Sequence, residues 1–490
     1  MYRSSENGTY EIEQLTIVKI QEAIRTKQIT SVELVQFYLD RITTLDQNGP
    51  RINSVLSINP KALEIAKEMD ELRGKEGQGP LFGIPVLLKD NIETKDNMPT
   101  TAGAIALEDN YTYKDSWVAK KLRDAGAIIL GKTNLSEWAY FMSTEAPSGY
   151  SGLGGQVLNP YGLENFPPES VGGSSSGSGA SIASNFATVS IGTETSGSIL
   201  SPSSSNSIVG IKPTVGLISR TGIIPLSMSQ DTAGPMARNV TDAAITLGVL
   251  TGVDPTDPIT AESEGKALID YTEHLTLHAL KGARIGIDYS YFFGTDEEID
   301  ELKQIVKEAI ALMESQGAIV EEVTFPKHDL TSDVLFYEFK HNVNDYLKNT
   351  PDTVKVKTLE DVIKYNEEDP EVRMKFNQAL LEESQNKSES LEDPVYLQKR
   401  ADDLKYSREL GIDKVMGENN LDALLFINNF GAALPAKAGY PSITVPAGYM
   451  KSGMPVGVTF SGLAFSEPRL IELAYSYEQH SKKRVPPILK

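Results

Sequence analysis

Apolar residues near the start of the chain recur at the spacing of one helix face. In the segment SVELVQFYLDRI, which runs from Ser31 to Ile42, most apolar positions lie three or four residues apart. Thr30, just before the segment, and Glu33, in its first turn, have the spacing of a capping box. The pattern predicts a helix that begins after Thr30 and packs one side against a core.

Two later stretches alternate short apolar runs with amphipathic segments. In the first, GPLFGIPVLLKDN and AIILGKT predict buried strands, and WVAKKLRDAG and NLSEWAYF predict helices. In the second, ARIGID and AIVEEV predict strands on either side of a helix that Thr295 and Glu298 cap. Two runs nearer the C-terminus, LDALLFI and PSITVPAGY, predict strands that return to the sheet. This order predicts an α/β fold: a single large domain over residues 1–490, with a central mixed β-sheet covered by helices.

Between approximately residues 337 and 420 the chain becomes charged and helical in composition, as in KTLEDVIKYNEEDPEV and DPVYLQKRADDLKYSREL. We interpret this stretch as a helical insertion or cap on the α/β core. The alternative is a solvated helical face with no functional role, because charged runs at helical spacing are usually exposed. The sequence leaves both interpretations open.

The composition narrows the class of protein. Of the 490 residues, 40% are hydrophobic and 23% are charged, which is typical of a soluble globular protein with a sizeable core. The net charge of −21 would repel a phosphate backbone, so we expect no nucleic-acid partner. The chain contains no cysteine, which excludes disulfides and thiolate metal sites.

The sequence also bears on location. No apolar stretch approaches the roughly 18 residues of a membrane span, so we expect no membrane partner. The first residues, MYRSSENGTYEIEQ, lack the apolar run of a signal peptide. These features predict a cytoplasmic protein, with a precursor already trimmed of its signal peptide as the alternative.

Two short motifs resemble ligand sites but stand in the wrong context. GAIILGKT, from Gly126 to Thr133, matches the letters of a phosphate-binding P-loop, yet its apolar run favours a buried strand over exposed backbone amides. His274 and His278 have the spacing of two zinc ligands on one helix face. The intervening residues lack the glutamate of a metalloprotease helix, and no third ligand stands out. We therefore predict no nucleotide cofactor and no metal.

The most unusual stretch is GGSSSGSGASIASNFATVSIGTETSGSILSPSSS, from Gly172 to Ser205. Its middle carries apolar residues that a disordered linker lacks, and it predicts a short helix leading into a strand, with a Gly/Ser loop at each end. Small residues allow close backbone approach, and such loops suit an oxyanion site built from backbone N–H groups. A buried lysine of lowered pKa can act as the base for a serine nucleophile.

One candidate nucleophile in this stretch is Ser175, because GSSSG fits the GxSxG nucleophile elbow. That elbow needs a strand immediately before it, whereas the preceding ENFPPESVG contains two prolines and no apolar run. A Ser-His-Asp arrangement would also need a histidine, and none of the five histidines in the chain has a distinctive setting. This arrangement stays open as an alternative.

Several blocks of the chain, taken together, resemble the amidase signature family. In the family's order they are LFGIPVLLKDNIET, AGAIILGKTNLSEWA, GGSSSGSGASIA, IGTETSGSILSPSSSNSIVGIKPTVGLISRTGIIP, SQDTAGPMARNVTDAA and AGYPSITVPAG. The resemblance covers most of the chain, with a signature core at approximately residues 70–245. It implies the amidase signature fold and a hydrolase that cleaves the C–N bond of a carboxamide, releasing ammonia or an amine.

The resemblance implies a Ser–cis-Ser–Lys triad, carried over motif by motif. The lysine of LLKDN is Lys89, the first serine of GGSSSGS is Ser174, and the serine of TSGSI is the nucleophile Ser198. Ser174 would follow a cis peptide bond from Gly173. In the implied reaction, neutral Lys89 draws a proton through the Ser174 hydroxyl while Ser198 attacks the carbonyl carbon and forms an acyl-enzyme.

The same resemblance implies that backbone amides bind the oxyanion. The N–H groups of Thr195, Ser196, Gly197 and Ser198 would surround the developing charge. Ser175 would support this network by hydrogen bonding rather than act as the nucleophile. No cofactor takes part in the implied chemistry.

Two positions depart from the family's common DTGGSIR pattern: Ser196 replaces a glycine and Leu200 replaces an arginine. The blocks TETSGSI, NLSEWAYFMST and GGQVLNPY are most similar to the stand-alone peptide amidase-like branch. We therefore expect a small-molecule or peptide amide as substrate, with the oligomeric state open. The alternatives are the A subunit of glutamyl-tRNA amidotransferase, which usually keeps DTGGSIR and acts on glutamine within a complex, and a non-catalytic binding protein.

Overall fold

Helices surround a large mixed sheet in the computed structural model, which describes residues 2–5, 8–11, 15–75, 77–326 and 333–489. The strands are β1 (Tyr2–Ser5), β2 (Gly8–Glu11), β3 (Val55–Ile58), β4 (Pro85–Lys89), β5 (Ile128–Thr133), β6 (Tyr150–Ser151), β7 (Gly155–Gln156), β8 (Val189–Glu194), β9 (Val209–Lys212), β10 (Thr232–Ala237), β11 (Arg284–Ile287), β12 (Ile319–Glu322), β13 (Ala423–Ile427), β14 (Ser442–Tyr449) and β15 (Pro455–Ser461). The α-helices are α1 (Ile17–Arg25), α2 (Ser31–Arg41), α3 (Ala62–Leu72), α4 (Trp117–Asp124), α5 (Glu137–Tyr140), α6 (Ser176–Ala183), α7 (Leu200–Ser205), α8 (Val240–Leu250), α9 (Asp296–Ser315), α10 (Val334–Lys348), α11 (Leu359–Glu367), α12 (Pro370–Arg373), α13 (Ala379–Gln385), α14 (Pro394–Leu404), α15 (Asp413–Asn419), α16 (Ala433–Ala438) and α17 (Glu467–Ser481). Within these ranges, no helix combines the length and the apolar character needed to cross a membrane.

Eleven of the described strands form one sheet, in the order β12-β11-β13-β15-β14-β9-β10-β8-β4-β5-β3. Strands β12, β11 and β13 are parallel at one side of it, and β8, β4 and β5 are parallel in the other half. Antiparallel pairs through β15, β14, β9 and β10 join these two groups. This single domain with a mixed sheet confirms the predicted α/β fold.

The carboxyl ends of β4 and β8 lie side by side. The two strands are parallel and neighbours, with Leu88 beside Ile191, and all their residues are buried. β10 runs antiparallel to β8, so that its first residue, Thr232, lies opposite Glu194 at the end of β8. The segments that follow β4 and β8 and the segment that precedes β10 therefore converge at one place.

Most elements predicted from hydrophobic spacing are confirmed. Helices α2 and α9 each begin with a complete capping box, at Thr30 and Thr295. The Gly/Ser stretch folds as the short helix α6 followed by the strand β8. Of the stretch that matches a P-loop, Ile128–Thr133 forms β5, in which every residue is buried. Apolar residues in that run thus fill the core, as their pattern predicts.

The helix predicted for NLSEWAYF is wrong. Only Glu137–Tyr140 is helical by hydrogen bonding, and three of its four residues have φ between 51° and 73°. The amides of the segment bond to distant parts of the chain: the Ser136 N–H donates to the Ser174 carbonyl (3.0 Å), and the Trp138 N–H donates to the Ala102 carbonyl (2.9 Å). Tertiary hydrogen bonds therefore override the local apolar spacing.

The charged stretch after β12 contains helices α10 to α15. One face of α10 is buried, because Phe339 and Val343 pack with Trp138 and Phe141 in a hydrophobic cluster separate from the main core. The Phe339 and Trp138 rings meet edge to face, with centroids 6.0 Å apart. The helical stretch is therefore packed against the α/β core and is not a solvated face throughout.

Candidate active site

Lys89 ends strand β4 with its side chain fully buried. Its Nζ donates hydrogen bonds to Ser174 Oγ (2.8 Å), to Thr193 Oγ1 (2.9 Å) and to the Thr193 carbonyl oxygen (3.2 Å). Burial lowers the pKa of Lys89 to about 7, although the carboxylates of Asp231 and Glu194 favour the ammonium form. A neutral amine is therefore accessible near neutral pH.

Ser174 faces this lysine from a tightly packed segment. The peptide bond from Gly173 to Ser174 is cis, as the family resemblance implies, and the Ser174 carbonyl accepts the Ser136 N–H. A Cβ atom added to Gly173 would lie 2.6 Å from Ser136 Oγ. Glycine at this position therefore lets the two serine segments approach closely.

Ser198 lies in the loop between β8 and α7 and is 8% exposed. Its carbonyl oxygen accepts the Ser175 N–H (3.2 Å), which holds the segment of Ser174 beside it. Ser175 Oγ donates to the Thr193 carbonyl (3.0 Å) and accepts the Thr193 N–H (3.2 Å). The structure thus brings Lys89 together with Ser174, Ser175 and Ser198, three of the four serines predicted for the site. In the described part of the chain, no hydrogen bond joins the Ser174 and Ser198 hydroxyls directly.

A buried carboxylate holds the loop that follows β8. Glu194 Oε1 accepts the Gly197 N–H (2.7 Å), and Oε2 accepts the N–H groups of Ile199 (2.7 Å) and Leu200 (3.0 Å). Burial raises the pKa of Glu194, and Lys212 and the three amides counteract this rise. Gly197 has φ of 79°, which favours glycine. Its N–H, expected at the oxyanion, is therefore occupied by Glu194.

Asp231 holds the other side of the same loop. Its carboxylate accepts the Thr195 hydroxyl (2.5 Å) and the N–H groups of Leu226 (2.8 Å) and Ser227 (2.9 Å). Burial raises the pKa of Asp231 to about 6. Gln230 Nε2 donates to the Thr195 carbonyl oxygen (3.2 Å). The segment before β10 thus fixes Thr195 through both its side chain and its backbone.

Sequence reasoning missed the supporting roles of Asn91, Thr193, Glu194 and Asp231. Asn91 Nδ2 donates to the same Thr193 hydroxyl that accepts a bond from the lysine (2.9 Å). All four residues stand inside conspicuous blocks: KDN, IGTETSG and SQDTAG. The available signal was the position of Glu194 and Asp231 among apolar and small residues. An acid in such a setting is expected to be buried, and a buried carboxylate needs hydrogen-bond donors around it.

The other candidate motifs lie outside this arrangement. His274 ends a short 3₁₀ segment, and its Nδ1 lies 2.9 Å from Glu472 Oε1. The described residues contain no group of three His, Asp or Glu side chains placed to hold a metal ion. Ser175 follows the 3₁₀ turn Pro168–Val171, where a nucleophile elbow needs a strand. The elbow interpretation of Ser175 therefore loses its structural context.

Comparison with known proteins identifies the family. The sequence model of the family described as Amidase matches residues 33–426. The chain belongs to the amidase family. A probable amidase of Arabidopsis thaliana is 41% identical over 497 residues, which cover 98% of this chain and 93% of that protein. The X-ray structure of peptide amidase from Stenotrophomonas maltophilia is 40% identical, with a TM-score of 0.90, over 97% of this chain and 99% of that one.

This amidase is therefore an amide-hydrolysing enzyme with the amidase signature fold. A more distant relative is the A subunit of glutamyl-tRNA(Gln) amidotransferase from Carboxydothermus hydrogenoformans. It is 38% identical over 322 residues, which cover 64% of this chain and 62% of that protein. The sequence alignment with the Arabidopsis amidase thus extends along nearly the whole chain, and the alignment with this amidotransferase does not. The structure of the amidotransferase A subunit from Thermotoga maritima covers 98% of this chain, at 26% identity and a TM-score of 0.72, against 40% and 0.90 for the peptide amidase.

Proposed function

We propose that this amidase cleaves a small-molecule or peptide carboxamide through a serine acyl-enzyme, with Ser198 as nucleophile, Ser174 as proton relay and Lys89 as base. One observation carries the proposal: the fully buried Lys89 Nζ lies 2.8 Å from Ser174 Oγ, close enough for the neutral amine to accept the hydroxyl proton. A buried lysine of lowered pKa next to a hydroxyl is a suitable base for proton transfer near neutral pH. The contact between Ser175 and Ser198 supports the choice of nucleophile.

The proposed proton path balances over one cycle. Lys89 takes the Ser174 hydroxyl proton, Ser174 takes the Ser198 hydroxyl proton, and Ser198 Oγ bonds to the substrate carbonyl carbon. When the C–N bond breaks, the leaving nitrogen receives the proton back along the same path. Water then attacks the acyl-enzyme and gives its proton to the same relay, which returns it to Ser198 Oγ as the acid leaves. The relay requires the Ser198 hydroxyl to turn towards Ser174 when substrate binds, a tightening that catalytic hydrogen bonds commonly undergo.

The amides of Thr195, Ser196 and Ser198 are the proposed donors to the oxyanion. No hydrogen bond to another described residue occupies these three N–H groups, whereas the Gly197 N–H is bound to Glu194. We therefore assign Gly197 to the support of the loop. Because carboxylates hold the loop from two sides, its free amides are oriented before the charge develops.

Glutamine hydrolysis within an amidotransferase complex is the less favoured candidate. The solved amidotransferase A subunit that covers 98% of the chain is 26% identical to it, against 40% for the peptide amidase. Leu200 also replaces the arginine of the DTGGSIR pattern. A stand-alone amidase needs no partner for activity, and this difference can be measured.

The test is ammonia release by the purified chain alone from glutamine and from amides of amino acids, peptides and aliphatic acids. We expect hydrolysis of peptide or amino-acid amides by the wild-type protein and none by Ser198→Ala. Activity on glutamine alone, and only after partner subunits are added, would favour the amidotransferase. Equal activity of the wild type and Ser198→Ala would contradict the proposed nucleophile.

A further inference from the structure

Glu137 is a buried acid that the proposed reaction does not use. Its side chain is 8% exposed, and its Oε2 accepts the Gly152 N–H (2.7 Å). Burial raises the pKa of Glu137 to about 8, and this N–H is what opposes the rise. No Lys or Arg of the described residues is within ion-pair distance of it, whereas buried Asp90 pairs with Lys132 (3.3 Å). Glu137 thus lacks the cation that a buried carboxylate usually has, and its raised pKa keeps the acid mostly protonated at pH 7 until a cation binds beside it.

The Glu137 carboxylate lines a pocket between the α/β core and the helical stretch. The core contributes Tyr140 and Tyr150, and the segment after α12 contributes Phe376. The Tyr150 and Phe376 rings meet edge to face, with centroids 4.7 Å apart. A carboxylate together with aromatic rings around one pocket is the set of groups that binds an organic cation.

Two cations also line this pocket, and neither neutralises the acid. The Arg373 guanidinium stacks on the Tyr365 ring at 3.6 Å and pairs with Glu368 at 3.3 Å. Lys375 Nζ lies 5.5 Å from the centre of the Tyr150 ring and 5.3 Å from that of Phe376. The aromatic wall therefore already holds one ammonium group of the chain itself, while the carboxylate remains without a counter-charge.

One short turn joins this pocket to the proposed catalytic groups. The Ser136 N–H donates to the Ser174 carbonyl, and Glu137 is the next residue. Further along the turn, Ala139 lines a second cavity, which is also lined by Thr193, while Tyr140 lines the Glu137 pocket. The Glu137 pocket and the cavity lined by Thr193 thus both border this one turn.

We propose that the Glu137 pocket binds a cationic nitrogen on the acyl side of the substrate, such as a free ammonium group. The carboxylate would accept its N–H groups, and the faces of the tyrosine and phenylalanine rings would contact its carbon atoms. The amidase then prefers amides that keep a free amine over their N-acetylated counterparts. This inference rests on the proposed function, because it takes the scissile amide to lie at Ser198.

Binding to an inactive variant tests the pocket without turnover. Calorimetry measures the Kd of amino-acid, dipeptide and tripeptide amides, each free and N-acetylated, for Ser198→Ala and for Ser198→Ala with Glu137→Gln. We expect at least one free amine to bind about tenfold or more tightly than its acetylated form, as for hydrogen bonds to a charged group, and Glu137→Gln to remove the difference. Glu371→Gln, which removes the same charge at an exposed position of α12, should leave the difference unchanged.

Hydrolysis by proteins that keep Ser198 separates the two proposals. In the wild type the preference should appear in kcat/KM, and Glu137→Gln should reduce it through KM more than through kcat. Equal affinity for free and acetylated amides, or a preference that survives Glu137→Gln, overturns the cation site. Hydrolysis without any preference contradicts the pocket alone. A preference for free amines in binding, without hydrolysis of any amide, contradicts the proposed function but still supports the cation site in the pocket.

Discussion

The Ser198 hydroxyl is expected to form the covalent bond to the substrate, and its removal is the most direct test. Ser198→Ala should lower kcat by about 10⁴-fold or more, since loss of a nucleophile removes the acyl-enzyme route. The side chain is small and stands in a loop, so the far-UV circular dichroism spectrum and Tm should match the wild type. Ser175→Ala is the matched control and should only weaken activity. A larger effect from Ser175→Ala would return the nucleophile to the GSSSG motif.

Lys89 gives the site a characteristic pH dependence. Burial lowers its pKa to about 7, so the neutral base is scarce below that pH and abundant above it. The rate on one amide should rise between about pH 6 and pH 8 and then level off. The Lys89→Arg variant should be inactive, because a guanidinium stays protonated and cannot accept the proton. Ordinary turnover by Lys89→Arg would show that another group removes the proton.

Individual residues differed in how far the sequence could predict them. Lys89, Ser174 and Ser198 followed from motifs that resemble a known family. Asp231 did not, because its partner Thr195 lies 36 residues away and is brought to it only by the pairing of β10 with β8. Glu137 was assigned to a helix that does not form, so its burial against the helical stretch could not be anticipated.

The loop after β8 should depend on its acid as a structural support. In Glu194→Gln, one of the two carboxylate oxygens becomes an NH₂ group that faces a backbone N–H. The free energy of unfolding should fall by about 1–3 kcal/mol, as for a buried donor left unpaired. We also expect kcat to fall, because the amides proposed for the oxyanion lose their orientation.

Urea unfolding and steady-state kinetics of Glu194→Gln measure both effects. Glu371→Gln, an exposed acid, is the control for the charge change and should behave as the wild type. Full activity together with lowered stability would restrict Glu194 to a structural role. Unchanged stability would contradict the three hydrogen bonds described for it.

Helices and strands that depend on interactions between neighbouring residues could be predicted from the sequence. The capping boxes of α2 and α9 satisfy helix ends within four residues, and both helices were predicted. Strand β10, TAGPMA, was not predicted although it lies near the middle of the sheet. A strand buried on both faces has no alternation of polar and apolar residues, and this one contains a proline and a glycine.

The helical stretch and the α/β core should unfold together. Trp138 of the core packs edge to face on Phe339 of α10, within a shared hydrophobic cluster. The chain has two tryptophans, so Trp117→Phe leaves Trp138 as the fluorescent reporter. In that background, the urea transitions by fluorescence and by far-UV circular dichroism should coincide. Phe339→Ala should lower the urea midpoint of both transitions, and the free energy of unfolding should fall by about 3–5 kcal/mol. A fluorescence transition at lower urea than the loss of helix would contradict this coupling.

The α/β class and the helical stretch could be predicted for the molecule, but their relation could not. Periodicity identifies which residues are apolar on a helix, and it does not say which surface covers them. Phe339 and Val343 belong to the stretch that the sequence left open as a cap on the core or a solvated helical face, and the structure shows them packed in one cluster with Trp138 and Phe141. Contacts between segments so far apart in the sequence have no counterpart in a local pattern.

One wall of the proposed selecting pocket comes from a stretch of the chain that holds none of the proposed catalytic groups. Those groups lie between Lys89 and Asp231, as Glu137 itself does, whereas the wall is the segment Arg373–Asn377. Replacing that short segment would change which amides enter without disturbing the groups that cleave them. In evolution, substrate range can therefore diverge among related enzymes while the reaction stays the same. In the laboratory, exchanging this segment between related amidases can be used to obtain enzymes with new selectivity.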